Sequence, residues 1–248
     1  MPNRYICEII TSSQLTETAF AIAVKCDEIA AEVRLGQFVH IKCGEERLLR
    51  RPISICRAEG DTMEFIFEVK GDGTRWLSKR KQGDMLDILG PLGSGFALPE
   101  SGNIIAVGGG AGVPPLLFVA QSAGNRVTAL LGFRDDGKVM LTREFESACD
   151  AVRVITDNKG YVTDLLEEAL NNGGRGAVIA CGPRVMLKAV AEICKRHKIP
   201  CQVSLEERMG CGVGACLVCA CATRIDGKDH MSRVCKDGPV FNAEEVVW

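Results

Sequence analysis

The apolar positions follow two rhythms along this chain. From Tyr5 to about Leu98, short runs rich in Val, Ile and Phe recur at 5–10, 18–25, 37–43, 63–70 and 85–88. Several alternate apolar with polar, the period of a half-buried strand, and glycines and charged turns separate them. Short, evenly spaced strands of this kind predict a closed antiparallel barrel, because closure removes the unpaired edges an open sheet would leave. Past Pro99 the apolar runs become continuous and alternate with helical stretches. The segments 103–107, 127–133, 151–155 and 177–181 read as buried strands. Helices are expected over 116–123, 141–148, 161–170 and 185–197, with Thr163 as N-cap of the third. Strand then helix, repeated, predicts a parallel α/β sheet. The expected architecture is an antiparallel β-barrel over 1–99, a parallel-sheet α/β domain over 100–200 and a small cysteine-rich lobe over 201–248.

Composition narrows the class. At 248 residues the chain can bury a core without disulfides, and 46% hydrophobic with 25% charged residues is ordinary for a globular protein. The formal net charge of -2 supplies no basic excess for nucleic acid. Thirteen cysteines raise the possibility of a secreted disulfide framework, but Met1-Pro2-Asn3-Arg4-Tyr5-Ile6-Cys7 lacks a charged segment leading into an apolar one. The thiols are therefore expected to be reduced or metal-bound, and the protein cytoplasmic. The uncharged run 101–125 has the length of a membrane span, yet Gly108-Gly109-Gly110 and Pro114-Pro115 would break such a helix. No membrane segment is expected.

The densest chemistry lies near the end. Cys211, Cys216 and Cys219 are spaced C-x4-C-x2-C, and Cys235 follows sixteen positions later. This is the ligand spacing of a plant-type 2Fe-2S centre, in which a tight loop wraps one edge and a remote thiolate closes the other. Gly210, Gly212 and Gly214 suit backbone packed closely around sulfur. Five cysteines compete for four positions. A set confined to Cys211, Cys216, Cys219 and Cys221 loses the remote ligand, so the metal ligands assigned are Cys211, Cys216, Cys219 and Cys235, with Cys221 a bystander. Four thiolates also suit structural zinc, but zinc knuckles come as two C-x2-C pairs and one is present. His40, His197 and His230 have no metal-like spacing and receive no role.

Upstream motifs point to nucleotides. The glycine turn Gly108-Gly109-Gly110-Ala111-Gly112 follows a strand and precedes a helix, leaving room for a pyrophosphate beside free N–H groups. It differs from the G-x-G-x-x-G fingerprint, and the turn alone is also compatible with a plain β-to-α connection. Cys181-Gly182-Pro183 ends another strand, where ligands bind in open α/β sheets. In the barrel region, Arg51-Pro52-Ile53-Ser54 joins a cation to a hydroxyl, and Gly71-Asp72-Gly73-Thr74 offers N–H groups to a diphosphate.

R-P-I-S, G-x-G-T, G-G-G-x-G-x-x-P and C-G-P, in this order, resemble the ferredoxin-reductase superfamily. With the cysteine tail, including Val234-Cys235-x-Asp237-Gly238-Pro239, the whole chain resembles the electron-transfer branch of two-subunit, NAD-linked dihydroorotate dehydrogenases. The resemblance implies FAD in the barrel, held by Arg51, Pro52, Ile53, Ser54, Ile66, Phe67, Glu68, Gly73 and Thr74. It implies NAD(H) across Gly108, Gly109, Gly110, Gly112, Cys181, Gly182 and Pro183. It further implies an FMN-containing catalytic partner that oxidises dihydroorotate in pyrimidine biosynthesis, in a heterotetramer of two copies each. Two departures stand out: Ile53 occupies a position where superfamily members often carry an aromatic, and the chain continues past the flavin into the cluster segment. No residue resembles a base for dihydroorotate, so no catalytic residue is assigned. The alternatives are a flavin subunit linking NAD(P)H to ferredoxin and a zinc-stabilised nucleotide sensor. Asp135 and Asp136 disfavour a 2′-phosphate while Arg134 favours one, and NAD is expected on resemblance.

Overall fold

The computed structural model describes residues 3–123 and 126–248. Met1 and Pro2 of the N-terminal stretch, and Gly124 and Asn125 at the end of the 101–125 run, lie outside the described residues.

The five alternating segments form β1 (Asn3–Gln14), β2 (Ala19–Lys25), β3 (Phe38–Ile41), β5 (Thr62–Glu68) and β6 (Met85–Leu92), and the stretch singled out for its Arg51 and Ser54 chemistry opens a sixth strand, β4 (Arg51–Glu59). They close in the order β1-β2-β5-β4-β3-β6, and β6 returns to pair antiparallel with β1. Inward positions carry Ile9, Ile22, Val39, Ile41, Ile55, Phe65 and Ile88, all fully buried, each contributing roughly 1.5–3 kcal/mol of apolar burial. Two short helices, α1 (Asp27–Glu32) and α2 (Asp72–Leu77), lie in the connections.

A six-stranded sheet follows. In chain order it comprises β7 (Ile104–Gly109), α3 (Pro114–Ala123), β8 (Val127–Phe133), α4 (Thr142–Ala148), β9 (Ala151–Thr156), α5 (Val162–Asn171), β10 (Ala177–Cys181), α6 (Arg184–His197) and β11 (Cys201–Ser204). The hairpin of β12 (Ala220–Ile225) and β13 (Lys228–Arg233) forms its own small sheet, after which β14 (Val240–Asn242) adds antiparallel to β11. The spatial order β14-β11-β10-β7-β8-β9 puts a reversal of strand order between β7 and β10. Both β11 and β14 come from the cysteine-rich segment, so that segment is built into the sheet edge.

Local details differ from the sequence expectation for clear reasons. Helix α3 begins at Pro114 rather than Leu116, since prolines in a first turn have no N–H to lose. Tyr161, not Thr163, caps α5, and its N–H donates to the Asp164 carboxylate at 2.7 Å. Thr163 lies inside the first turn.

Barrel and sheet share one apolar core. Ala19, Ala21, Cys56 and Ile66 on the barrel's outer face pack with Val113, Leu116 and Leu117 of the α3 region and with sheet residues Ala106 and Ile179. The cysteine-rich segment is tied to both. Ser94 N–H donates to the Gly238 carbonyl at 2.6 Å, and Leu205 N–H to the Pro239 carbonyl at 2.9 Å. Gln202 of β11 clamps the Ala97 backbone from both sides, accepting from its N–H at 3.0 Å and donating to its carbonyl at 2.7 Å. Among the described residues no helix is long and apolar enough to cross a membrane.

Gln202→Ala removes both bonds of the Ala97 clamp and is expected to lower stability by about 1–3 kcal/mol, at 0.5–1.5 kcal/mol per net hydrogen bond. Chemical denaturation of the variant beside the parent measures this. Unchanged stability would show that the clamp contributes nothing to docking of the sheet edge.

Candidate functional site

The cysteine loop is lined by its own backbone donors. Gly212 and Gly214 have φ of +73 and +81, values that L side chains rarely adopt and that turn successive N–H groups inward. Val213 and Ala215 N–H donate to Cys211 Sγ at 3.4 and 3.2 Å. Cys211 N–H donates to Cys216 Sγ at 3.4 Å, Gly214 N–H to Cys235 Sγ at 3.2 Å, and Cys235 N–H to Cys219 Sγ at 3.4 Å. Each of the four expected ligand sulfurs thus accepts at least one backbone N–H. Cys221 lies on β12, buried in the apolar core, where burial raises its pKa.

Two of these bonds join the cysteines pairwise, Cys211 to Cys216 and Cys235 to Cys219. Among the described residues no three His, Cys, Asp or Glu side chains converge on a position for a single ion. A two-iron centre takes two protein ligands on each iron, whereas zinc needs all four around one point, so this donor set fits a 2Fe-2S group. The pairs differ electrostatically. Burial opposes ionisation of Cys211, but donors from Val213, Cys216 and Ala215 outweigh it and bring its pKa to about 6. For Cys235, burial and the neighbouring Cys219 push it up to about 12.

The loop's shape is held from behind by residues that spacing did not single out. Arg233 forms a fork with Asp237, Nε to Oδ2 and Nη2 to Oδ1 both at 2.9 Å, and donates to the Gly214 carbonyl at 3.2 Å. The guanidinium in turn holds the Asp237 carboxyl below its usual range. The signal available in sequence was a basic residue four positions before an acidic one, too common to weigh alone.

The expected FAD residues converge on one part of the barrel. Arg51, Pro52, Ile53 and Ser54 open β4, and Ile66, Phe67 and Glu68 end β5, from which the chain enters α2. The Arg51 guanidinium rests on Gly73 so closely that a Cβ there would lie 2.4 Å from Nε. Arg50 is committed to Asp87 at 2.7 Å, while Arg51 donates to the Leu49 and Arg50 carbonyls and keeps a charge free for an anion. Thr74 Oγ1 accepts from Lys70 N–H at 2.9 Å and fixes the loop rather than pointing out of it. Ile53 packs with the barrel core, and Phe67 stacks on Phe20 with centroids 6.1 Å apart.

The expected NAD residues also meet. Gly108 and Cys181 are level across the β7–β10 pair, at the carboxyl ends where strand order reverses. Open α/β sheets bind ligands at such a point. Gly109 ends β7, and a Cβ on it would lie 3.0 Å from Pro183 Cδ. Gly110 and Gly112 bound a 3-10 turn, and a Cβ on Gly112 would lie 2.3 Å from the Cys181 carbonyl oxygen and 2.5 Å from Gly182 N. Burial pushes the Cys181 thiol up to about 12, so it is a neutral wall rather than a nucleophile. β5 touches the Gly110–Gly112 turn, which brings the FAD and NAD cradles together.

Comparison with known proteins agrees with this geometry. The family model described as the iron-sulfur cluster binding domain of dihydroorotate dehydrogenase B matches residues 206–247. The electron transfer subunit of dihydroorotate dehydrogenase B (NAD(+)) from Caldanaerobacter subterraneus subsp. tengcongensis is 42% identical over 218 residues, covering 86% of this chain and 87% of that one. Its counterpart from Desulforamulus reducens is 37% identical over 100% of both chains. This chain belongs to that family of electron transfer subunits. Among solved structures, an NADH-dependent reduced ferredoxin-NADP oxidoreductase studied for flavin-based electron bifurcation is 30% identical, with a TM-score of 0.86, over 98% of this chain and 90% of that one.

In the cluster-free chain at pH 7, Cys211 is expected to be mostly thiolate and to alkylate first, its rate falling as pH drops through about 6. Buried Cys235, pushed up to about 12, is expected to stay unlabelled. Timed iodoacetamide labelling with peptide mass spectrometry checks the order; equal rates would remove the proposed asymmetry.

Proposed function

We infer that this chain is the electron-transfer subunit of an NAD-linked dihydroorotate dehydrogenase, carrying electrons between a catalytic partner subunit and NAD through a 2Fe-2S centre and FAD. Identity at 37–42% over most or all of the chain supports this reading. The observation that carries the chemistry is the set of five backbone N–H bonds to the sulfurs of Cys211, Cys216, Cys219 and Cys235. We propose those four as cluster ligands and the residues of 1–99, 100–200 and 201–248 as the FAD, NAD(H) and cluster segments.

Bound FAD exchanges electrons singly or in pairs and so joins hydride exchange with NAD to one-electron exchange with the cluster. The chain supplies the geometry for this. Arg51 neutralises the FAD diphosphate and Gly73 keeps the approach open. Gly112 and Cys181 hold the two strand ends level, so the dinucleotide crosses the switch point beside the flavin strands. The loop donors stabilise anionic sulfur, as positive backbone dipoles do for any bound anion. None of these groups moves a proton on dihydroorotate, which belongs to the partner. The partner's cofactor is proposed to be FMN, in an assembly of two copies of each subunit. A cytoplasmic location is proposed because thiols there stay reduced or bind metal.

The second reading, a subunit linking NAD(P)H to ferredoxin, draws on the 0.86 TM-score to the bifurcating oxidoreductase. Co-expression with the candidate dihydroorotate-oxidising partner separates the two: dihydroorotate-dependent NAD+ reduction is expected, and its absence in a fully loaded complex rejects the pyrimidine reading.

In that complex, Cys216→Ser is expected to abolish transfer from dihydroorotate to NAD+ while NADH still bleaches the FAD absorbance. Survival of both activities with normal iron content would remove the cluster from the path. Gly112→Ala presses a methyl into the Cys181 backbone, and overpacking of roughly 1–3 kcal/mol predicts about 5- to 150-fold loss of NADH affinity with FAD and iron retained. Rapid-mixing titration of FAD reduction measures it, and an unchanged affinity would place the dinucleotide elsewhere.

A further inference from the structure

Strand alternation sorts β3 into two faces. Val39 and Ile41 belong to the core inside the barrel, whereas Phe38 belongs to the apolar cluster outside it that also takes in Cys219, Cys221 and Cys235. His40 therefore leaves the barrel on the side of Phe38, under the cysteine loop. The approach is close: a Cβ on Gly212 would lie 2.6 Å from His40 Nδ1. Gly212 is flanked by Cys211 and by Val213, whose N–H donates to Cys211 Sγ. Across the β3–β4 pair His40 is in register with Pro52 of the R-P-I-S strand. One side chain thus lies between the cluster loop and the flavin strand.

The ring is fully buried, and neither Nδ1 nor Nε2 has a hydrogen-bond partner among the described residues. Such isolation is unusual, because a buried polar atom without a partner costs more than a typical hydrogen bond returns. The nearest polar groups do not relieve it. Arg50 donates to the His40 backbone carbonyl at 3.2 Å rather than to the ring, and its own carbonyl lies beside the ring without forming a well-aligned bond. Burial first, and the charge of Arg50 next, push the imidazole pKa down to about 4. Near pH 7 the ring is neutral, with one N–H to give and one lone pair. An anionic sulfur centre in the loop above supplies the acceptor that the protein does not.

We propose that His40 is a positioning residue for the iron–sulfur centre, donating a ring N–H from the barrel to a sulfur of the group held by the Cys211 loop. The inference rests on the 2Fe-2S reading of that loop. Its consequence is electrostatic: an N–H donated to cluster sulfur favours the more negative, reduced centre and so raises its potential. It also anchors the centre to β3, the strand paired with the one that carries Arg51 and Ser54.

The test uses the complex of this chain with its catalytic partner, as wild type, His40→Leu and His40→Gln, with iron, sulfide and FAD measured on the same samples. EPR-monitored redox titration is expected to give a negative shift of the cluster midpoint in His40→Leu and a smaller one in His40→Gln, whose amide N–H replaces the donor in part. The FAD midpoint is expected to hold. An unchanged cluster midpoint in His40→Leu at full iron content overturns the proposal. Should His40→Leu lose the centre, pulsed EPR of reduced wild-type complex carrying 15N-histidine decides: nitrogen coupling to the cluster supports the donation, and its absence overturns it. A His230→Asn sample and a His197→Asn sample are each expected to retain the coupling, and its loss from either overturns the assignment to His40. Wild-type complex devoid of iron and sulfide would instead sink the reading of the loop itself, and the proposal with it.

Discussion

A sulfur centre buried against an apolar core needs hydrogen-bond donors around it, and the segment from Cys211 to Cys235 is built to supply them. The supply begins in the backbone. Positive φ at Gly212 and Gly214 turns N–H groups toward Cys211 and Cys235, and the N–H groups of Cys211 and Cys235 serve Cys216 and Cys219. A loop in such a conformation does not hold itself. The Arg233–Asp237 fork grips the Gly214 carbonyl, and the outer face of β3 supports the loop from below through Phe38 and His40. The bound metal is then a partner to a site whose dipoles already point the right way.

That dependence explains why the cysteine-rich segment is woven into the sheet. β11 and β14 flank the cluster hairpin in sequence and are paired with each other at the sheet edge, so both ends of the lobe are anchored in a rigid element. The barrel reaches the same edge through the Gln202 clamp and the Ser94–Gly238 bond. Because barrel and sheet share one apolar core, the flavin strands, the glycine turn and the cluster loop are held at fixed separation. Electron transfer needs such rigidity, since its rate depends on distance and on little movement of the surrounding charges.

Much of the architecture was legible beforehand. Alternation over 5–88 specified five of the six barrel strands, strand–helix succession over 103–197 specified the parallel sheet, and cysteine spacing picked out the segment that the family model matches. These are short-range properties: periodicity and spacing are set by the chain's own helical or extended geometry. Local energetics that compete at one position were less legible. Thr163 has the chemistry of an N-cap, yet the helix starts one residue before it, and Asp164 in the first turn reaches back to accept from the Tyr161 N–H.

Chemistry and order thus reside in the sequence, which by itself determined that the chain carries two nucleotide cradles followed by a thiolate centre. The tertiary structure alone decided partnership. It joined Cys211 to Cys216 and Cys235 to Cys219, committed Arg50 to Asp87 while leaving Arg51 for an anion, and set Gly112 against Cys181. It also placed His40, unremarkable by spacing, beneath the cluster loop with both nitrogens unpaired. The physical reason is common to all four: hydrogen bonds, burial and ion pairing depend on which residues meet in space, and only folding brings those surfaces together.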